Sequence, residues 1–397
     1  MARPLAGVRI LESTTMITGP LAGMMLADLG ADVIKVENPD GGDPFRSFRG
    51  GKYSPYFFSY NRNKRSIALD IRSEEGKGHF KKLVAQSDVL IENSRPGVFA
   101  RLGLGVEELR RVNPRIILCS ISGFGPSGPY KDRPAYDAVA QALAGVSSLC
   151  FYGEPQITGP TIADSVTGIF AAYGILGALY ERAMTGVART LDVNMLDSTV
   201  AFMPDPFLTT TMLNLEPGPL MRVQASQSYA MTCGDGKMVA VHLSSQEKFW
   251  NACTEAFNCA HLTTDPRFDT RAKRVDNYID IAAEFRKAAF AQPRDVWMAR
   301  LAERDVPHAP VNNLLEVIED PQIRHLGTFA DMQHPVCGPY KTVRRPVRYD
   351  GSRDDQPLDL PPELNADGAA ILRELGSSEA EIAAWESHNK KLADKAA

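Results

Sequence analysis

One carboxylate, Asp164, stands at the head of a long apolar segment and is the residue with the clearest chemical potential. No charged residue occurs from Ser165 to Tyr180, a pattern typical of a buried helix. An aspartate before such a segment is a common helix N-cap, whose carboxylate accepts a backbone N–H of the first turn. A carboxylate that the helix dipole keeps ionised could instead attack an activated carbonyl carbon. The segment alone does not decide between a cap and a nucleophile.

Three glycines, Gly168, Gly174 and Gly177, lie inside this predicted helix. Each costs about 1 kcal/mol of helix stability relative to alanine. We therefore expect a compensating close approach of another backbone or of a ligand at these positions.

Other kinds of chemistry are disfavoured by the composition. The 397 residues carry a formal net charge of −4, which does not fit a general nucleic-acid binder. The six cysteines form no C-x-x-C pair and the seven histidines are dispersed, so we predict free buried thiols and no metal site. The amino terminus leads straight into a strand-like segment without a signal-peptide pattern, which predicts a cytoplasmic protein that does not enter a membrane.

Strand and helix patterns alternate through about residue 200, which predicts an α/β domain with a parallel sheet. The first β-α-β unit has a strand at 7–11, a polar loop at 12–18, a helix at 20–29 and a strand at 33–37. The loop lacks G-x-G-x-x-G, which counts against an NAD or FAD site, but it remains a candidate binding surface at a strand end. The basic cluster N-R-N-K-R at 61–65 fits a solvated turn or a ligand-facing patch equally well.

The second half of the chain has a different character. Residues 201–225 lack clear periodicity and are assigned as a linker. A β-hairpin around Gly234-Asp235-Gly236 and three helical patterns predict a smaller α+β domain at 226–330. A strand-like segment at 342–349 and helices at 367–375 and 378–387 close the chain.

Short motifs follow one another along almost the whole chain. They are G-V-R-I-L, T-G-P-L-A-G-M-M-L-A-D-L-G-A-D-V-I-K-V-E, N-R-N-K-R-S-I-A-L-D, D-V-L-I-E-N-S-R-P-G, R-L-G-L, N-P-R-I-I-L-C-S-I-S-G-F-G, Y-D-A-V-A-Q-A-L-A-G and the segment that begins at Asp164. In this order and spacing the chain resembles the class III CoA-transferases, also called the CaiB/BaiF family, which include formyl-CoA transferase and the carnitine CoA-transferases.

The resemblance implies that Asp164 is the catalytic aspartate. It would attack the thioester of a donor acyl-CoA to form a mixed anhydride, which CoA thiolate converts to an aspartyl–CoA thioester. An acceptor acid then takes over the CoA. A carboxylate suits this reaction because its anhydride is about as activated as the thioester, and splitting the exchange into several steps is covalent catalysis.

The resemblance also implies a CoA site on the first domain, with CoA as a substrate and no tightly bound cofactor. In this chain Asn38 stands where some members carry an arginine, so phosphate contacts must come from elsewhere. Guanidinium groups such as those of Arg72 and Arg101 suit that task. The matching residues are Ile17, Thr18, Asn38, Leu69, Arg72, Asn93, Ser94, Arg95, Arg101, Tyr136 and Asp137.

Family members form an interlocked homodimer, and the resemblance implies the same for this chain. The expected fold is a Rossmann-like parallel-sheet domain at 1–200, completed by 331–397, and a small α+β domain that packs against the partner. A glycine-run lid loop is not evident in 200–230, which argues against a formyl/oxalate pair. Loose similarity to the succinyl-CoA-using branch favours succinyl-CoA or another dicarboxylyl-CoA as donor, and a carboxylic acid as acceptor.

Two alternatives remain. The α-methylacyl-CoA racemase branch uses an acid/base pair, and its members place a histidine where this chain has Tyr136. Tyrosine, with a reference pKa of about 10, is a poor base at neutral pH. The second alternative is a CoA-binding protein without catalytic activity. In that case Asp164 would be only a helix N-cap and Asp137 only an acid in the first turn of a helix.

Overall fold

Six parallel strands form the sheet that organises the first 200 residues. The computed structural model describes residues 3–49, 51, 53–157, 159–353 and 358–396. The strands are β1 (Arg9–Ser13), β2 (Asp32–Glu37), β3 (Lys64–Ala68), β4 (Val89–Glu92), β5 (Ile117–Ser122) and β6 (Thr190–Asn194). Their order is β3-β2-β1-β4-β5-β6, and each neighbouring pair is parallel. The Rossmann-like parallel sheet is thus confirmed, with its switch point between β1 and β4.

Helices connect these strands, and those at 18–27 and 162–185 lie close to where the sequence patterns predict helices. A short 3-10 turn at Pro44–Arg46 follows β2. In chain order the helices are α1 (Thr18–Ala27), α2 (Pro55–Tyr60), α3 (Glu74–Ala85), α4 (Val98–Arg101), α5 (Val106–Val112), α6 (Asp137–Leu143), α7 (Val146–Cys150), α8 (Ile162–Thr185) and α9 (Met195–Phe202).

Both faces of the sheet are covered, which is why its strands are apolar at successive positions. On β1, Ile10 belongs to an apolar cluster with Leu26 of α1 and Ile175 of α8. The next residue, Leu11, points to the other face, into a cluster that contains Phe80 of α3. This arrangement leaves the carboxyl ends of the strands as the open edge where a ligand can bind.

Helix α8 is buried on one face only, so the expectation of a helix buried all round is wrong. Ala171 and Ile175 are buried, whereas Tyr173 and Tyr180 are 74% and 70% exposed. Among the described residues, α8 is the one helix long and apolar enough to cross a membrane, and half of that stretch is buried. A core helix meets the same test, so this is weak evidence for a membrane span.

Of the three glycines in α8, Gly168 has the close approach that the sequence predicts. A Cβ added there would lie 2.8 Å from the Thr18 carbonyl oxygen and 3.0 Å from the Leu21 Cβ. Gly168→Ala is therefore expected to push α1 and α8 apart and to lower the free energy of unfolding by about 1–3 kcal/mol.

The matched control is Gly177→Ala. Within the described part of the chain, nothing lies within 4 Å of the Gly177 Cβ position. There alanine should stabilise the helix by about 0.5–1 kcal/mol. Thermal and urea unfolding of both variants measure the difference, and equal stabilisation by both substitutions would contradict the packing described for Gly168.

The basic cluster at 61–65 is largely buried and structural, so neither a solvated turn nor a ligand-facing patch describes it. Arg62 is 5% exposed and its Nε donates to Asp28 Oδ1 at 3.0 Å. Lys64 is also 5% exposed and lies 2.7 Å from Glu12 Oε2. These cations are buried because each meets a carboxylate, as burial of a charge requires.

The chain divides into two compact units. The larger contains Met1–Val146, Ile157–Phe202 and Thr328–Ala397, and the smaller contains Ser147–Gln156 and Met203–Gly327. In the smaller unit, the antiparallel strands β7 (Ser228–Thr232), β8 (Met238–His242) and β9 (His308–Pro310) form one sheet. The predicted hairpin is confirmed, whereas the short third strand was missed.

The smaller unit has an apolar core that includes Trp250, Phe285 and Trp297, each from a different helix. The helices of this unit are, in order, α10 (Pro204–Leu213), α11 (Met221–Ser226), α12 (Glu247–Ala256), α13 (Arg271–Asp276), α14 (Tyr278–Ala289), α15 (Arg294–Glu303), α16 (Leu314–Glu319) and α17 (Pro321–Leu326), with a 3-10 turn at Ala260–Thr263. The first two lie almost entirely within 201–225, where the sequence shows no periodicity.

The carboxyl-terminal segment returns to the larger unit. Strands β10 (Phe329–His334) and β11 (Gly338–Val343) form an antiparallel hairpin, followed by α18 (Gly368–Glu374) and α19 (Glu379–Ala396). The strand predicted at 342–349 is therefore misplaced. The observed strand β11 ends at Val343, shortly before Pro346, which cannot donate a backbone hydrogen bond.

All six cysteines are free thiols, in agreement with their spacing. Four are buried, as expected, but Cys150 and Cys337 are exposed.

Candidate active site

Asp164 is the third residue of α8 and is not its cap. The helix begins after Thr161, whose hydroxyl is hydrogen-bonded to Tyr60. The backbone N–H of Asp164 donates to Asp137 Oδ1 at 3.2 Å. Asp137 thus takes the capping role that was one of the two possibilities for Asp164, and the carboxylate of Asp164 is left available for chemistry.

Asp137 is held in place from its own helix. It is the first residue of α6, and its Oδ2 accepts from Gln141 Nε2 at 2.6 Å. The same nitrogen donates to the carbonyl oxygen of Pro160 at 3.2 Å, just before α8. Gln141 and Asp137 together connect the starts of the two helices, and they fix the position of Asp164 relative to Asp137.

The environment of Asp164 raises its pKa from 3.8 to about 7, first because the group is largely buried and then because of the charge of Asp137. Burial and the charge of Asp137 outweigh the favourable effect of the helix dipole, so the pKa of Asp164 is raised rather than held low. Two adjacent acids in a partly buried site disfavour a second negative charge. Asp164 is poised to change its charge near neutral pH.

Tyr60 is a residue at this site that motif reasoning missed. It is the last residue of α2 and is half-buried. Burial raises the pKa of its hydroxyl, and the charges of Asp164 and Asp137 raise it further. The hydroxyl therefore lies within electrostatic reach of both acids. Its place directly before the N-R-N-K-R motif was the one available signal.

A cleft of about 300 Å³ lies at the carboxyl ends of β1 to β4. Within it, the exposed Arg72 pairs with Asp70, Nε to Oδ1 at 3.0 Å, so its charge is already balanced. The cleft brings together five of the predicted residues, Asn38, Leu69, Arg72, Asn93 and Ser94.

The side chain of Asn93 forms hydrogen bonds with the segment that follows β1. Its Oδ1 accepts the N–H of Thr15 at 3.0 Å, and its Nδ2 donates to the Thr15 carbonyl at 2.8 Å and to Thr18 Oγ1 at 3.3 Å. These bonds connect the ends of β1 and β4 across the switch point of the sheet. Asn93 thus shapes the cleft rather than offering a free amide to a ligand.

A second cleft, of about 150 Å³, shares Asn93 and Ser94 with the first. It is lined by the predicted Arg95 and Tyr136, and by two cations that the sequence analysis did not select, Lys131 and Arg133. None of its described lining residues is acidic. The first cleft, in contrast, has three acidic lining residues, Glu37, Asp43 and Asp70, each of them paired with a cation. The second cleft is the more attractive to an anion.

Other predicted residues lie outside the described lining of both clefts. The side chain of Ile17 packs with Phe45 and Phe57 in a buried apolar cluster. Thr18 is buried at the start of α1, and Arg101 is exposed at the end of α4.

Comparison with known proteins finds relatives over nearly the whole chain. The sequence profile of CoA-transferase family III matches residues 5–368. The chain is 34% identical over 387 residues to a succinyl-CoA:glutarate CoA-transferase of Mus musculus, covering 94% of this chain and 86% of that protein. It is 32% identical to an acetyl-CoA:oxalate CoA-transferase of Acetobacter aceti, covering 95% and 97%.

The fold has a close counterpart among solved structures. A CaiB/BaiF family protein from Brucella suis matches with a TM-score of 0.83 and 32% identity, over 94% of this chain and 100% of that one. Together with the family match over nearly the whole length, this similarity identifies the chain as an enzyme of CoA-transferase family III.

Proposed function

We propose that the enzyme moves CoA from an acyl-CoA to a carboxylic acid through covalent intermediates on Asp164. The observation that carries this proposal is the position of Asp164, a half-buried carboxylate at the start of α8 beside Asp137. Its side chain is not the helix cap, because Thr161 is the N-cap residue and Asp137 accepts the backbone N–H of Asp164. A carboxylate in such a place can serve as a nucleophile towards a thioester.

The reaction proceeds in four balanced steps. An Asp164 oxygen attacks the donor thioester carbonyl, the C–S bond breaks, and CoA thiolate leaves behind a mixed anhydride. The thiolate attacks the aspartyl carbonyl and releases the donor acid. The acceptor carboxylate attacks the aspartyl–CoA thioester, and CoA thiolate leaves again. The thiolate then attacks the acceptor acyl carbonyl and regenerates the Asp164 carboxylate.

CoA binds, in this proposal, along the two clefts at the strand ends. Because Arg72 is paired with Asp70, we expect the CoA phosphates to be bound by Arg95, Lys131 and Arg133 instead. These three cations supply the positive charge that some family members have from an arginine at the position of Asn38. Tyr136 lines the same cleft as these cations, and the next residue, Asp137, contacts Asp164.

A dicarboxylyl-CoA such as succinyl-CoA is the proposed donor. The support is the name of the murine relative, a succinyl-CoA:glutarate CoA-transferase. Other relatives are named for oxalate, with formyl-CoA or acetyl-CoA. All of these names share a carboxylic acid acceptor.

A homodimer is also part of the proposal. Helix α8 presents an exposed apolar face that includes Ile169, Tyr173, Tyr180 and Met184. An apolar surface of this kind is typical of an interface. A cytoplasmic location is proposed because all six cysteines are free thiols.

The pH dependence follows from the raised pKa of Asp164. Its reactive form is the carboxylate, so activity is lost as pH falls through about 7. We expect kcat/KM for the acyl-CoA to fall about tenfold per pH unit below 7 and to level off above it. In Asp137→Asn the acidic limb should move to lower pH, because a negative charge beside Asp164 is removed. Initial-rate profiles from pH 5 to 9 measure both, and an unmoved limb would contradict the pairing.

Mass spectrometry of a matrix of acyl-CoA donors and carboxylic acids tests the function. The proposal predicts a new acyl-CoA only when both donor and acceptor are present, with succinyl-CoA among the active donors. Exchange of the α-proton of a branched acyl-CoA for deuterium without any acid acceptor would instead favour a racemase. CoA binding without either reaction would favour a non-catalytic protein.

A further inference from the structure

The turn between β1 and α1 is held by three side chains, one from β2, one from the loop after β2 and one from directly after β4. Each of them fixes the backbone of one of three successive residues. The contacts are Lys35 Nζ to the Thr14 carbonyl oxygen at 2.9 Å, Thr15 N–H to Asn93 Oδ1 at 3.0 Å, and Met16 N–H to Asp43 Oδ1 at 3.2 Å.

Met16 occupies a backbone conformation that is unfavourable for a residue with a side chain. Its φ is +69°, in the left-handed region. Non-glycine residues stay in this region when their surroundings determine the conformation, and they cluster at binding and catalytic sites. Of the three holding contacts, the one from Asp43 acts directly on Met16.

Both carboxylate oxygens and the backbone N–H of Asp43 take part in these contacts. Asp43 is 1% exposed, its Oδ1 also accepts the N–H of Phe45 at 2.9 Å, and its Oδ2 lies 3.0 Å from Lys35 Nζ. Its own N–H donates to Glu37 Oε2 at 3.0 Å. The carboxylate thereby ties the loop after β2 to the loop after β1.

Both loops line the 300 Å³ cleft, to which Thr14, Thr15 and Asp43 contribute. We propose that Asp43 is a positioning residue, which keeps the Met16 turn in the conformation that binds CoA. This inference rests on the proposed function only in taking CoA as the occupant of the cleft. The chemistry remains with Asp164.

The experiment combines calorimetric titration with CoA and steady-state kinetics with an acyl-CoA donor, on Asp43→Ala and Asp43→Asn. Alanine removes the acceptor for Met16, so the Kd of CoA and the KM of the acyl-CoA should rise about tenfold, the equivalent of one hydrogen bond. The kcat should stay within about twofold, because a positioning effect on CoA binding leaves the reacting groups in place. Asparagine keeps Oδ1, so binding should stay within about threefold of the wild type.

Asp40→Ala is the matched control, since Asp40 is an exposed acid in the same loop. It should bind CoA as the wild type does. If Asp43→Ala does not fold, Asp43→Ser decides, because its shorter side chain stays polar beside Lys35 but cannot reach Met16, and the same rise is expected.

Two results would overturn the inference. One is a folded alanine or serine variant with wild-type CoA affinity, and the other is an asparagine variant as impaired as alanine. A wild-type protein that does not bind CoA at all would instead remove the proposed function, so the two failures are distinguishable.

Discussion

Replacing Asp164 by asparagine is expected to lower kcat for CoA transfer by at least about 10⁴-fold, because the amide cannot form the anhydride. The variant should nevertheless fold and bind CoA. Its Tm at pH 8 should exceed that of the wild type, by about 2 °C or more. The reason is that folding raises the pKa of Asp164 from 3.8 to about 7, which destabilises the wild type as pH rises through that range.

Asp280→Asn is the matched control for this substitution. Asp280 is the third residue of α14, as Asp164 is of α8, but it is exposed. Its replacement should leave kcat unchanged. Transfer activity in Asp164→Asn within tenfold of the wild type, at equal purity and CoA affinity, would rule out Asp164 as the nucleophile.

Replacing Glu12 by glutamine is expected to cause the largest loss of stability, about 3–5 kcal/mol. Glu12 is fully buried, with Oε1 at 2.9 Å from Lys35 Nζ and Oε2 at 2.7 Å from Lys64 Nζ. Burial acts to raise the pKa of Glu12, but the two lysines outweigh it and hold that pKa below its usual value. Burial already lowers the pKa of Lys64 to about 8 even with Glu12 beside it. Without Glu12 the two cations would be left with too little negative charge.

An exposed ion pair provides the comparison. Glu107 and Arg111 on α5 are 3.8 Å apart and both largely exposed. Glu107→Gln should change the free energy of unfolding by less than about 0.5 kcal/mol. Urea unfolding of both variants measures the contrast, and a Glu12→Gln loss below about 1 kcal/mol would show that the buried cluster is not a major source of stability.

The layout of the larger unit was predictable because its sequence pattern is strong and local. Apolar strands alternate with helices whose starts and ends are marked, for example by Ser73, whose hydroxyl caps α3. The helices α10 and α11 were not predictable from the sequence. In α10, apolar residues such as Phe207 and Met212 stay exposed, so the helix lacks an amphipathic pattern. The strand at 342–349 was misplaced because Val347 and Tyr349, which favour strands, follow the point at Val343 where pairing stops.

The sequence predicts which residues belong to the site better than it predicts what each of them does. Asp164, Asp137 and Asn93 could be selected from their motifs, but not the hydrogen bond that makes Asp137 the acceptor at the start of α8. That contact joins residues 27 positions apart and depends on how α6 and α8 pack. Similarly, the burial of Lys64 and the raised pKa of Asp164 depend on neighbours that only the fold brings close.

The central claim is that CoA becomes covalently attached to Asp164 during turnover. The direct measurement is to mix the wild-type enzyme with a donor acyl-CoA, trap the activated carboxyl with hydroxylamine, digest the protein and locate the modification by mass spectrometry. We predict a hydroxamate on Asp164 that requires the donor and that excess free acceptor acid diminishes. An enzyme that turns over its substrates while Asp164 stays unmodified, or while another carboxylate carries the label, would contradict the account.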